Sequence, residues 1–262
     1  MDILDAYILT EPSNQNILDI FKDEWASQLP ADTGLVTKPG FAGLFEDGRI
    51  IWAEQVFGSF ANWNILELGP LEGGHSYMLQ KSNANKIIAI EANSRAFLKC
   101  LCIKEILNLH TVEYKLGDFV TFLEKDDSKY DLVLASGVLY HMADPVKVLH
   151  LISKVTDRVF LWTHYYDEPT ISSREELKVR FEPVDSLVYE GVSYDYSTQS
   201  YQAALNSVMF CGGLQPTTKW LTRDSILKAL KNFGFVDIQI NFDDINHPNG
   251  PAFAICAKKA GF

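Results

Sequence analysis

Clustered positive charge is missing from this chain. Lysine and arginine number 23 against 34 aspartates and glutamates, a formal net charge of −11, and no block of basic residues stands out. Duplex DNA or RNA is therefore a poor main partner, because neutralising a phosphate backbone takes clustered cations. Cysteine is scarce. Cys100, Cys102, Cys211 and Cys256 form no Cys-x-x-Cys pair and no zinc-type spacing with histidine, so no metal site is expected. They read as free, buried thiols of a reducing compartment. Long apolar runs are absent: none approaches the roughly 18 residues of a membrane span. The first residues include Asp2 and Asp5 and no basic stretch ahead of an apolar core, so no signal peptide is read. A cytoplasmic protein without membrane contact is expected. Repeats and low-complexity segments are lacking too. What remains is an ordinary globular composition, 47 % apolar and 22 % charged over 262 residues, enough for a sizeable core.

The most informative stretch is Asn64-Ile65-Leu66-Glu67-Leu68-Gly69-Pro70-Leu71-Glu72-Gly73-Gly74. It reads as a buried strand, a glycine loop and a helix start over 75–80. Such a turn aims backbone N–H groups and a helix N-terminus at whatever sits past the strand. A dinucleotide fingerprint wants Gly-x-Gly-x-x-Gly, its second glycine clearing space for a pyrophosphate. Here Leu71 stands at that position. An ordinary tight strand-to-helix turn reads the same way, so the loop needs company.

The company comes in order. Residues 86–91 form a second buried strand ending in Glu91, 22 positions after Gly69. A carboxylate there can accept both hydroxyls of a ribose, whether from NAD or from another adenosine cofactor. Asn93 is an N-cap for a helix over 94–107. A third strand, 111–116, leads into Gly117-Asp118-Phe119, where Asp118 is an N-cap for the next helix. The fourth strand, 130–135, ends in Ser136-Gly137-Val138-Leu139-Tyr140-His141, with Pro145 opening a helix. The fifth, 158–163, ends in His164-Tyr165-Tyr166. Alternation of strands and helices argues for a doubly wound parallel sheet. A helix capped by Thr222, a strand over 235–240 and a strand over 252–257 close the chain as an antiparallel hairpin at the sheet edge, seven strands in all. Before the sheet, 1–60 reads as a helical segment, with helices at 17–28 and 49–60 and a loop at 38–43. Residues 167–218 interrupt the alternation with helices near 173–180 and 201–210 and a hairpin around Glu190-Gly191.

Glu67-x-Gly69-x-x-x-Gly73, Glu91, Asp118 and the Ser136–His141 loop together resemble motifs of the class I, Rossmann-like S-adenosylmethionine (SAM)-dependent methyltransferases of small-molecule type. The Gly-Val-Leu-Tyr-His segment is similar to that of the tRNA uridine carboxymethyltransferase group. The resemblance implies SAM as cofactor, held by Glu67, Gly69, Pro70, Gly73, Glu91, Ala92, Asp118, Phe119, Ser136, Gly137 and His141. It implies an N-terminal lid (1–60), on which Phe41, Arg49 and Trp52 either face ligand or pack on the sheet. The SAM-binding domain would be 61–262, and the 167–218 insertion would build the acceptor pocket. Tyr140, His164, Tyr165, Tyr166 and Trp220 are then candidates to bind a small organic acceptor. His141 and His164 are candidates to remove a proton, with a packing role equally open for His141. The expected reaction is in-line methyl transfer to an O, N or C nucleophile. RNA (carboxy)methylation and SAM binding without transfer are the alternatives, and homodimerisation is left open.

Overall fold

The computed structural model describes residues 7–207 and 209–262; Asp2 and Asp5 lie outside them. The chain opens with helix α1 (Asn14–Asp19), capped by the Ser13 side chain, and strand β1 (Trp25–Ser27). The single helix expected over 17–28 is not formed. Asp23 takes a positive φ of 64°, and β1 pairs in parallel with β2 (Pro39–Ala42), in the stretch expected as loop. The reason lies far along the chain. The Glu72 carboxylate accepts from the Ala26 and Ser27 N–H groups at 3.1 and 2.7 Å, giving this backbone a partner other than its own helix. Helix α2 (Gly48–Phe57) follows, with Asp47 as its N-cap.

The sheet then assembles as β3 (Asn64–Leu68), α3 (Gly74–Lys81), β4 (Lys86–Glu91), α4 (Ser94–Ile106), β5 (Val112–Leu116), α5 (Phe119–Leu123), β6 (Leu132–Ser136), α6 (Pro145–Val155) and β7 (Arg158–His164). Local signals explain the helices. Asn93 caps α4 by accepting from Arg95 and Ala96 N–H, and Asp144 caps α6 with Pro145 in its first turn. Helices α7 (Glu168–Ser172) and α8 (Glu175–Lys178) replace the one expected near 173–180. The hairpin is present as β8 (Asp185–Tyr189) and β9 (Val192–Ser200), turned by Glu190 and Gly191 at φ of 50° and 79°. Instead of a helix over 201–210, only a 3-10 turn, Gln202–Asn206, is found among the described residues. Strand β10 (Thr217–Leu221) joins β9 antiparallel and carries Trp220. Helix α9 (Arg223–Asn232), capped by Thr222, and strands β11 (Phe235–Asp244) and β12 (Ala252–Lys259) finish the chain.

The main sheet has seven strands in the order β11-β12-β7-β6-β3-β4-β5. Strands β7, β6, β3, β4 and β5 run parallel, and β12 and β11 form the antiparallel edge. Successive residues feed opposite faces: Leu132 and Leu134 of β6 join one core cluster, Val133 and Ala135 the other. Covering both faces is what makes a central strand such as β6 continuously apolar. The chain reverses its direction of sheet growth between β3 and β6, and that switch point opens a crevice at the strands' C-terminal ends.

Candidate active site

A cleft of about 550 Å³ lies at this edge. Gly69, Pro70 and Leu71 line it from the end of β3, Glu91, Ala92 and Asn93 from β4, Asp118 and Phe119 from β5, Ser136, Gly137, Val138 and Tyr140 through Asp144 from β6, and Trp162 from β7. Leu44, Arg49 and His75 complete one side, and residues 210–215 cross from the insertion. The ends of five strands distant in sequence are thus brought to one cavity by strand order.

The glycine loop is tight. Gly69 sits at φ 65°, and a Cβ there would lie 2.6 Å from Val138 Cγ1. Gly69→Ala is therefore expected to cost about 1–3 kcal/mol through left-handed strain and to push the β6 loop outward; urea denaturation measures the loss, and an unchanged midpoint would contradict it. Leu71, also at positive φ (56°), is held by Glu91, whose Oε2 accepts its N–H at 3.1 Å while Oε1 accepts Asn93 N–H at 2.8 Å. Burial raises the Glu91 carboxyl pKa, and the backbone N–H bonds only partly offset that.

Other motif residues are placed less directly. Asp118 caps α5, accepting from Val120 and Thr121 N–H at 3.0 Å each, and also lines the cleft. Glu67 and Gly73 lie beneath the loop rather than on the cleft wall. The Ser76 hydroxyl donates to Glu67, and burial lifts that carboxyl's pKa. A Cβ on Gly73 would stand 2.6 Å from the Tyr114 hydroxyl.

Of the acceptor candidates, Tyr140 reaches the cleft; burial pushes its phenol pKa well above the usual range. His164, 4 % exposed, lies behind it. Its Nδ1 donates to the Gly250 carbonyl at 2.8 Å and its ring stacks on Trp220 at 4.9 Å. Burial, opposed in part by that carbonyl, lowers its pKa to about 4. Tyr165 donates to Asp243, and Tyr166 packs on Phe181. These residues with Trp220 back the site without lining it. His141 does line it. Burial, with a smaller contribution from His164, lowers its pKa to about 3.

Sequence reasoning missed the cluster around Asp47. This buried carboxylate caps α2 and accepts from Arg49 Nε and Nη2 at 2.9 and 2.6 Å and from His75 Nε2 at 2.8 Å. Burial would raise its pKa, but the bonds from His75 and Arg49 outweigh that and hold it well below the carboxylate range. The Arg49 guanidinium lies 4.4 Å over the Trp162 ring. The one local signal that could have pointed to it is an N-cap, Asp47 ahead of an apolar helix. Of the other lid candidates, Phe41 is 75 % exposed and Trp52 packs edge-on against Phe242.

A doubly wound sheet with this strand order, an antiparallel C-terminal edge and a glycine-loop cleft at the switch point defines a Rossmann-like methyltransferase fold. The profile of the methyltransferase domain family matches residues 59–198, more than half of the chain, and the protein belongs to that family. The N-terminal domain of EvdMO1, crystallised in the presence of SAH and D-fucose, superposes with a TM-score of 0.67 over 99 % of this chain and 97 % of that one, at 21 % identity. An S-adenosylmethionine-dependent methyltransferase from Mesorhizobium loti gives 0.57 over 83 % and 100 %, at 12 % identity. Among curated sequences, the tRNA U34 carboxymethyltransferase of Campylobacter lari is 24 % identical over 175 residues, 60 % of this chain and 59 % of its own length. That of Campylobacter hominis is 27 % identical over 106 residues, 39 % of this chain and 36 % of its own. The chain thus matches between about a third and three fifths of the length of these relatives.

Proposed function

We propose that the protein transfers the methyl group of SAM to a small organic acceptor. The observation that carries this reading is the meeting of Gly69, Glu91, Asp118 and Ser136 in one cleft that Leu71 also lines. Leu71 occupies the place a pyrophosphate-bearing coenzyme would need, whereas SAM has no phosphate. The residues fit such a cofactor. Each Glu91 oxygen keeps a lone pair for a ribose hydroxyl beyond its one backbone bond. Arg49 Nη1 has no hydrogen bond among the described residues and is free to take the cofactor's carboxylate. Asp118 and Phe119 line the cleft where the adenine would lie. When bound, SAM supplies a sulfonium methyl open to in-line displacement.

The chain's own contribution is to hold the acceptor against that carbon and exclude water, and well-aligned binding alone can provide much of the rate. Tyr140, His141 and Trp162 offer aromatic faces and polar tips suited to a small, partly polar molecule. The EvdMO1 domain's crystallisation with D-fucose supports including hydroxyl-bearing acceptors. Among charged residues of the cleft wall, Arg49 and Lys147 are outnumbered by Glu91, Asp118 and Asp144, which disfavours a polyanion. The test pairs calorimetry of SAM and NAD with a panel of sugars, phenols, carboxylic acids and transfer RNA, read by SAH release. Tighter binding of NAD would sink the reading. Turnover on RNA alone would move it to the reaction the curated relatives are named for, and SAM binding without turnover on any acceptor would leave a binding protein.

A further inference from the structure

Tyr201 belongs to the insertion, yet its hydroxyl lies 2.6 Å from His141 Nδ1, at the end of β6. The same oxygen accepts the Gly213 N–H at 2.9 Å. The contact is close enough to exclude any side chain at Gly213, where a Cβ would stand 2.1 Å from the His141 carbonyl oxygen. The Phe210 ring meets Tyr201 edge-on at 4.9 Å, and the Phe210 carbonyl accepts from Asn93 Nδ2 at 3.1 Å. Tyr201, Phe210 and Gly213 are therefore tied to the ends of both β4 and β6.

Proton counting decides what this does to the imidazole. With Gly213 N–H on its oxygen, Tyr201 has one proton to give, and His141 Nδ1 is the acceptor in reach. The opposite arrangement, Nδ1–H donating to Tyr201, would place two donors on the phenol oxygen and leave its own proton only the nearby Thr218 hydroxyl, which is directed at the Tyr140 and Met142 carbonyls and makes no hydrogen bond of ordinary geometry with Tyr201. An unpaired buried hydroxyl proton is costly. A neutral imidazole with Nδ1 accepting must carry its proton on Nε2. His141 Nε2 has no protein partner among the described residues, and the residue lines the cleft.

We propose that Tyr201 is a positioning residue that holds His141 as its Nε2–H tautomer, so that the imidazole presents a hydrogen-bond donor to a ligand oxygen in the cleft. This removes His141 from the role of proton-abstracting base and gives the insertion a direct hold on the site. The statement that the oxygen belongs to cofactor or acceptor rests on the methyltransferase reading; the tautomer itself does not. Burial keeps the ring neutral across the working pH range, in accord with the geometry.

The test is imidazole nitrogen NMR on the full-length, ¹⁵N-labelled protein without ligands, the His141 signals identified by their absence in His141→Gln. Wild type is expected to show an unprotonated Nδ1 and a protonated Nε2. Tyr201→Phe keeps the ring against Phe210 and is expected to fold while giving mixed tautomers. Gly213→Ala, which forces the segment away from His141, should give the same mixing. With SAM and an accepted substrate, Tyr201→Phe should raise one KM by about tenfold, the weight of one ligand hydrogen bond, with kcat changed less than threefold. A protonated Nδ1 in wild type, or an unaltered spectrum in Tyr201→Phe, overturns the proposal. Because the spectra need no ligand, failure of SAM to bind would leave that result standing and count only against the function.

Discussion

Glu91→Ala is expected to weaken SAM binding by two to three orders of magnitude. Two losses combine. The carboxylate would no longer accept from the ribose, and charge-assisted hydrogen bonds of this kind contribute about 1.5–3 kcal/mol each. The Leu71 and Asn93 N–H groups, bonded to Glu91 at 3.1 and 2.8 Å, would lose their acceptor, so the glycine loop would relax from the shape the ligand needs. At about 1.4 kcal/mol per decade, the ribose bonds alone reach the stated range. Calorimetry with SAH and with an analogue lacking both ribose hydroxyls separates the causes. The variant should discriminate poorly between the two ligands, while wild type should discriminate strongly. A dissociation constant for SAM within threefold of wild type would refute the assignment of Glu91. The raised pKa of this buried carboxyl adds a sign: protonation removes an acceptor, so binding should begin to weaken on acidification at a higher pH than an ordinary glutamate would give.

Glu91 was legible in the sequence because it obeys a local rule. A strand's last residue at a fixed distance beyond a glycine loop lands at a known place whatever else the chain does. The same holds for Gly69 and Ser136, each at the end of a strand whose apolar run is fixed by burial on both faces, and for Asp118, which follows the partly exposed edge strand β5. What could not be read is long-range. The apolar spacing of Leu18, Phe21 and Trp25 suits one helical face, but a carboxylate 45 residues away, Glu72, draws the 26–27 backbone into a strand. Glu72 is itself anchored by buried Lys99 at 2.9 Å. His164 looked equivalent to His141 because both follow strands. Packing separated them, since Tyr140 and Trp220 enclose His164 while His141 keeps a ring edge on the cleft. The insertion was visible as an interruption, but its grip on His141 passes through Tyr201, and no local pattern links positions 60 residues apart.

The cluster at Asp47 is the other feature no periodicity reveals, and its removal should have the largest effect on stability. Asp47→Ala is expected to lower unfolding free energy by about 3–5 kcal/mol, the range found when one partner of a buried ion pair is deleted. The side chains of Asp47 and Arg49 are 8 % and 18 % exposed, so solvent offers little compensation, and the N-cap of α2 goes with the carboxylate. Asp47→Asn keeps a capping oxygen but not the charge, and should fall between wild type and alanine. The pH dependence identifies the source. The folded-state pKa is depressed by His75 and Arg49 against the pull of burial, while the unfolded value is about 4. The unfolded chain therefore takes up the proton first as pH falls, and the stabilisation is present in full above about pH 4 and lost below it. Denaturant titrations at pH 7, 5 and 3 should show the gap between wild type and Asp47→Asn constant at the first two and narrower at the third. A gap that is unchanged at pH 3 would mean the carboxylate's charge is not what stabilises the fold. SAM affinity should fall in both variants, because Arg49, released from Asp47 Oδ1 and Oδ2, is no longer fixed over Trp162 where the cofactor's carboxylate would meet it. Arg49→Met, which keeps Asp47 and the helix cap, should reproduce that loss of affinity with a smaller loss of stability, and the ratio of the two effects distinguishes an anchor for the ligand from a brace for the helix.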